Sequence, residues 1–273
     1  MKSVLVTGCS GYIGSHLCKL LDKDYDVWGL DIQDPQFPLK PNQFLKCNIE
    51  HKNIFTRLKD QSFDAIIHLA AKVRVGESKH IPEKYYSTNL IGTINLLKQL
   101  QTNNFIFAST GVAEHCSDPY GISKTAAEQC VIELHKESYS IFRFYNVIGS
   151  SGFAPTNPDG LMKNLKDCEE FVIFGDDYNT RDGTCIRDYI HVDEVCNALA
   201  MAIDDPAETT ECLGSGVGYT VQEIITLYKI MNNVNFNVRV GSRRAGDLPE
   251  TVLSKPSRYM KNLYSIADLL KSC

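Results

Sequence analysis

Through the first 149 residues short apolar runs alternate with amphipathic segments, and the runs are apolar on successive residues, not on every second one. That texture suits strands covered on both faces, as in βαβ units on a parallel sheet. The runs are Val4–Val6, Val27–Leu30, Phe44–Ile49, Ala65–Ala70, Phe105–Ser109 and Ile141–Val147. Between them the spacing predicts helices over Tyr12–Leu21, Pro82–Leu100 and Tyr120–Lys136. Pro82 suits a first helical turn, and Ile91, Ile94 and Leu97 fall on one side of the second helix.

After Gly149 the pattern changes. Residues 150–160 are rich in Ser, Gly, Pro, Asn and Asp and read as a loop leaving the sheet. Beyond it, short helices around Asp193–Ile203 and Val221–Met231 mix with short strands such as Phe236–Val240. The reading is an α/β chain: a doubly wound domain over 1–149, to which about 185–212 returns, and a smaller interleaved α/β lobe over 150–273.

Composition narrows the partners. A formal net charge of -5 argues against a nucleic-acid or anionic membrane surface, so phosphate binding must come from local groups. No stretch approaches the roughly 18 apolar residues of a membrane span. The start, Met1 to Gly8, is too short an apolar run for a signal peptide. The ten cysteines are scattered without a C-x-x-C pair, which reads as buried thiols in a reducing cytoplasm.

The first strand runs into Gly8-Cys9-Ser10-Gly11-Tyr12-Ile13-Gly14 and then a helix. Glycines at this spacing permit a tight turn and close approach of backbone to a pyrophosphate, and the helix N-terminus offers amides and a positive dipole end. This is the phosphate cradle of a Rossmann-type fold. The second strand ends in Asp31, at the distance where an acid accepts hydrogen bonds from the adenosine ribose. A carboxylate there repels a 2′-phosphate, which favours NAD over NADP; Asp31 also reads as a simple strand-ending turn residue.

Tyr120 and Lys124 stand four apart, on one face of the predicted helix, with Ser109-Thr110 ten residues upstream at a strand end. Together with the glycine cradle, this combination resembles the extended short-chain dehydrogenase/reductase family. The resemblance implies that Tyr120 is the acid–base, that Lys124 binds the nicotinamide ribose and lowers the tyrosine pKa, and that Thr110 bonds the reacting oxygen. It implies further cofactor contacts from Asn48 and Ile49, from Leu69, Ala70 and Ala71, and from Asn89. Asn89 reads equally as a polar residue inside a helix.

Two stretches of the second lobe narrow the resemblance. Phe174 to Asp193 and Arg243-Arg244-Ala245-Gly246-Asp247 look like the corresponding parts of UDP-galactose 4-epimerases. By that match Phe174 lies by the uracil, Asn146, Arg187 and Arg244 reach the diphosphate, and Asp247 holds the uridine ribose. Thr251 falls where a bulky residue excludes a 2-acetamido group and a small one admits it, and threonine is small. His191 reads as a packed structural residue. The resemblance also implies a homodimer through the Pro82–Leu100 and Tyr120–Lys136 helices.

This chain departs from the pattern in places. Only nine residues separate Thr110 from Tyr120. Asn48 replaces an aspartate that commonly meets the adenine, and Val73 a lysine of some epimerases. The alternatives are a 4,6-dehydratase, a decarboxylase, or a dinucleotide-binding sensor without turnover. Dehydratases carry Asp-Glu after the threonine, whereas Gly111-Val112 follow Thr110.

Overall fold

The structure, a computed structural model, describes residues 1–40, 42–51, 56, 58, 61–111, 113, 117–154, 160–166, 169–244, 246–255, 257–261 and 263–272. Much of the short Thr110–Tyr120 connection, at 112 and 114–116, lies outside them, as do Cys116, Cys168, Ala245 and Cys273.

In chain order the principal elements begin with β1 (Ser3–Thr7), α1 (Tyr12–Leu21), β2 (Asp26–Asp31), β3 (Phe44–Lys46) and β4 (Ala65–His68). There follow α2 (Pro82–Tyr85), a π-helical segment (Tyr86–Ile91), α3 (Gly92–Gln99), β5 (Asn104–Thr110), α4 (Pro119–Leu134), β6 (Ser138–Phe144) and β7 (Asn146–Ile148). The remainder comprises β8 (Glu170–Phe174), β9 (Ile186–His191), α5 (Val192–Asp204), β10 (Glu208–Leu213), β11 (Gly218–Thr220), α6 (Val221–Asn232), β12 (Asn237–Gly241), β13 (Glu250–Thr251) and α7 (Ile266–Lys271). Two compact units result, residues 1–143 with 196–211 and residues 144–195 with 212–273. The first cut falls at the end of β6, where the sequence reading drew it after Gly149.

The first unit is built on a seven-stranded sheet of order β10-β6-β5-β4-β1-β2-β3, a Rossmann-type doubly wound arrangement. β1 pairs in parallel with both β2 and β4, β2 with β3, and β4 with β5. Strand order reverses between β1 and β4, so the carboxyl ends of these two strands form the switch point where such sheets bind ligands. The successive apolar residues of Leu5, Leu30, Ile66, Phe105, Phe107 and Ile141 make the core, with Leu96 from α3 and Val131 from α4 packed on it. All seven residues of β5 are buried.

Two expected elements came out differently. The run Phe44–Ile49 pairs only over Phe44–Lys46, because the Asn48 side chain accepts from the Glu50 amide at 3.0 Å and turns the chain. The helix over Pro82–Leu100 is interrupted by the π-helical segment, where the Gly92 amide reaches back five residues to the Ser87 carbonyl. Gly92 packs against Ile49, where a Cβ would lie 2.6 Å from Ile49 Cδ1 and displace that side chain.

The second unit has two small sheets. β9 pairs in parallel with β7 and β13 and antiparallel with β11. β8 pairs in parallel with β12, which sets Phe174 opposite Gly241. Helices α6 and α7 close a second core around Phe171, Tyr189, Ile224, Tyr228 and Leu269.

Candidate active site

The loop after β1 is a cradle that only glycine can form. Gly8 has φ +74°, and a Cβ on it would sit 2.7 Å from the Ala70 nitrogen, at the end of β4. A Cβ on Gly14 would overlap the Gly8 carbonyl oxygen. The Gly8 amide donates to Leu30 O at 2.8 Å and the Gly11 amide to Gly8 O at 3.1 Å, which folds the turn. The first i→i−4 bond of α1 is donated by Ser15 to Gly11, so the amides of Ile13 and Gly14 lie outside the helical ladder. The carboxylate of Asp31 is fixed beside the cradle by the amides of Ser10 at 3.0 Å and Gln33 at 2.9 Å. Each oxygen keeps a lone pair for a sugar hydroxyl. A glycine cradle and a pinned acid at a sheet's switch point fit an adenine dinucleotide.

Leu69, Ala70 and Ala71 follow β4 across the switch point and are half-buried. The Leu69 amide donates to Thr7 O at 3.1 Å and the Ala70 amide to Thr7 Oγ1 at 3.3 Å. Thr7 also meets His68 Nδ1 at 2.6 Å, while Nε2 of the same ring lies 2.9 Å from Thr93 Oγ1. Burial, and secondly Lys124, hold His68 far below its usual pKa. It is a neutral strut under the cradle.

Thr110 ends β5, and Tyr120 and Lys124 lie on the first turns of α4. Asp118 caps this helix, accepting from the Gly121 amide at 2.9 Å, and Pro119 suits the first position. The Thr110 hydroxyl stands close enough to the Tyr120 phenol to act on its pKa. Burial pushes the phenol up to about 12; Thr110 opposes this and Asp118 adds to it. Lys124 is buried, and desolvation brings its ammonium down to about 7, opposed by Glu128. Its Nζ lies 4.0 Å from the centroid of the Phe107 ring.

Asn89, in the π-helical segment, is 1% exposed and has both amide protons engaged. It donates to Lys72 O at 3.0 Å and Ser123 Oγ at 2.9 Å, and it accepts from the Lys72 amide at 2.8 Å. Ser123 in turn donates to Tyr120 O at 2.7 Å. The side chain is therefore a clamp between the β4 loop and the start of α4. Ile49 is a core residue, 3% exposed, so its backbone is what it can offer a ligand. Asn48 is half-buried at the adjacent turn. Tyr85, which the sequence reading did not single out, is fully buried with its ring edge-on to Tyr120 at 6.5 Å. Glu128 also escaped notice, although a glutamate four residues after a lysine on a helix is a readable signal.

In the second unit the Arg244 guanidinium covers the Phe174 ring at 3.8 Å, and Arg243 covers Tyr178 at 4.2 Å. The register of β8 with β12 explains this, since residues 243–244 follow directly from the partner of Phe174. Arg187 donates from Nη1 to Leu248 O at 2.8 Å and lies 3.8 Å from Asp247. Thr251 stands opposite Arg187 in the β9–β13 pairing, so the two side chains share one side of the sheet. Asn146 is tied by its amide to Asp188 O at 2.9 Å. Asp188 itself is buried and accepts from the amides of Ser215 at 2.7 Å, Gly216 at 2.9 Å and Leu253 at 3.2 Å, a structural knot within the motif. His191 stacks on Tyr264 at 4.0 Å and accepts from the Asp193 amide at 3.1 Å, as a packed residue would.

Residues 4–212 match the NAD dependent epimerase/dehydratase family. Among curated proteins, the UDP-glucose 4-epimerase of Mycoplasma pneumoniae is 33% identical, with 92% of this chain and 88% of the relative covered. Among solved structures, a UDP-glucose 4-epimerase from Stenotrophomonas maltophila with bound NAD and formylated UDP-arabinopyranose superimposes with a TM-score of 0.87. It is 27% identical over 100% of this chain and 96% of that one. The UDP-Glc/GlcNAc 4-epimerase of Campylobacter jejuni gives a TM-score of 0.75 at 28% identity, with 100% of both chains covered.

Proposed function

The chain belongs to the NAD dependent epimerase/dehydratase family, and from that premise we propose that it is a UDP-glucose 4-epimerase that holds NAD tightly and inverts C4 of a UDP-hexose. The observation that carries this reading is Tyr120 on the first turn of α4, with Lys124 buried one helical turn further on and Thr110 at the end of β5, in the same unit as the glycine cradle. Gly8, Gly11, Tyr12, Ile13 and Gly14 would hold the pyrophosphate, and Asp31 the adenosine ribose. Asn48 and Ile49 would line the adenine side. Leu69, Ala70, Ala71, Asn89 and Lys124 would line the nicotinamide half. When bound, NAD would supply reversible hydride exchange with C4.

The residues of the chain supply the proton chemistry. Tyr120 takes the proton of the 4-hydroxyl as C4 becomes a ketone, and Thr110 donates to the same oxygen. A phenol near 12 is a base near neutrality only with a cation at hand, which is the part given to Lys124. The two hydroxyls meet the charge that gathers on the oxygen in the transition state. After the keto sugar has turned over, Tyr120 returns the proton and the configuration at C4 is inverted.

The second unit would hold the nucleotide. Arg187, Arg244 and Asn146 suit the diphosphate, the arginines because a planar fork donates to two oxygens at once. Phe174 would lie by the uracil, and Asp247 would bond the uridine ribose. Arg244 would leave the Phe174 ring to do its part. Thr251, small and beside Arg187, leaves room for a 2-acetamido group, so the N-acetylhexosamine pair is accepted as well as the plain hexoses.

Ile91 and Ile122, 43% and 41% exposed on the π-helical segment and α4, support a homodimer through these helices. The seven described cysteines are free thiols, which suits a reducing cytoplasm. Among the described residues no helix is long and apolar enough to cross a membrane. The test is incubation of the purified protein with UDP-galactose and no added cofactor. UDP-glucose should form. A lasting 4-keto-6-deoxy product would make it a dehydratase, and unchanged substrate with NAD still bound would make it a sensor.

A further inference from the structure

Lys124 is 4% exposed, and an ammonium so placed sheds its proton unless an anion stands by it. Glu128 follows it by four residues on α4, on the same face, and is 2% exposed. Its two oxygens accept from Arg143 Nε at 3.0 Å and Nη2 at 2.8 Å, a bidentate clamp from β6. The clamp fixes the position of the carboxylate and engages both of its oxygens. Lys124 and Glu128 thus share the buried face of the helix that carries Tyr120, and Arg143 holds the carboxylate from β6.

The other titratable groups around Lys124 do not do this work. His68 on β4 is neutral, held so by burial. Tyr120, one turn earlier, is pushed up to about 12 and carries no charge near neutrality. Glu77, on a segment packed against α4, is engaged by the Tyr85 hydroxyl at 2.8 Å. Asp118 is spent on the helix cap. Glu128 alone among these groups acts on Lys124 to favour its charged form.

We propose that Glu128, clamped by Arg143, is the positioning residue that keeps the Lys124 ammonium charged and seated over Phe107. It touches no reacting atom and acts through the lysine. The proposal rests on the role given to Lys124 above.

The test uses full-length protein carrying 15Nζ-labelled lysine, so that the titration of Lys124 Nζ is followed by NMR alongside the pH profile of kcat/KM for UDP-galactose. Glu128→Gln keeps the shape and an acceptor for Arg143 while removing the charge. Its Nζ midpoint should fall by about one pH unit, the low end of the effect of a neighbouring charge, because Arg143 shares the field. The alkaline limb of kcat/KM should move with it, leaving roughly tenfold less activity above both midpoints. Glu128→Asp should restore most of the shift. An Nζ midpoint in Glu128→Gln within about 0.3 of wild type, against the expected unit, would overturn the proposal. Should wild type lack epimerase activity while the Nζ midpoint still moves, the proposed function fails and the role of Glu128 stands.

Discussion

Replacing Lys124 by methionine should make the protein more stable at pH 6 while abolishing its activity. Burial holds the Lys124 ammonium at about 7, against 10.5 when unperturbed. At about 1.4 kcal/mol per tenfold, this corresponds to about 5 kcal/mol of penalty on the charged form in the folded protein. The sign follows from proton binding. Between pH 7 and 10.5 the unfolded chain holds a proton on this lysine that the folded chain has lost, so stability rises with pH across that window. The penalty is present in full below pH 7 and is relieved as pH climbs towards 10.5. Methionine carries no such penalty and packs against Phe107, and Glu128 keeps Arg143 as partner. Urea unfolding followed at Trp28, the single tryptophan, should therefore show Lys124→Met more stable than wild type at pH 6. The gap should narrow by about 3 kcal/mol at pH 9, equivalent to a midpoint change of about 1 M or more. A gap that stayed constant from pH 6 to 9 would refute the reasoning, because the lysine would then not be titrating in that range.

Other substitutions test other parts of the site. Tyr120→Phe should lower kcat by at least 10²–10⁴-fold, the usual contribution of general acid–base catalysis, while NAD released on denaturation stays at one per chain; near-normal turnover would remove Tyr120 as the base. Gly14→Ala forces a methyl group into the Gly8 carbonyl and should destabilise by about 1–3 kcal/mol with loss of bound NAD, read by thermal melting and nucleotide analysis. Thr251→Tyr should abolish activity on UDP-N-acetylglucosamine and spare UDP-glucose, in kcat/KM; equal losses on both would show that Thr251 is no gate.

Much of the first unit could be read directly from the chain. α1 starts and stops at Tyr12 and Leu21 as the spacing predicts, because Gly11 and the apolar stripe mark a local event. The Tyr120–Lys124 pair is likewise set by helix geometry alone. What could not be read depends on residues far apart in sequence. The π-helical turn at Tyr86–Ile91 follows from Gly92 packing on Ile49, 43 positions earlier, and from Asn89 reaching Lys72 and Ser123. Lys124 is acted on by Glu128, legible at four residues' spacing, but Glu128 is held by Arg143 from the next strand, which is not. In the second unit Phe174 and Arg244 each invited a separate role, yet the pairing of β8 with β12 stacks one on the other. Sequence spacing gave no hint of that contact.

The central claim is that hydrogen leaves C4 and returns to the same carbon from the opposite face, with Tyr120 carrying the hydroxyl proton. It is tested most directly with UDP-galactose deuterated at C4, incubated with the purified protein in ordinary water and analysed by NMR and mass spectrometry. The account predicts UDP-glucose that retains the deuterium at C4. Product that has lost the label to solvent, or a label found on any other carbon of the sugar, would contradict it.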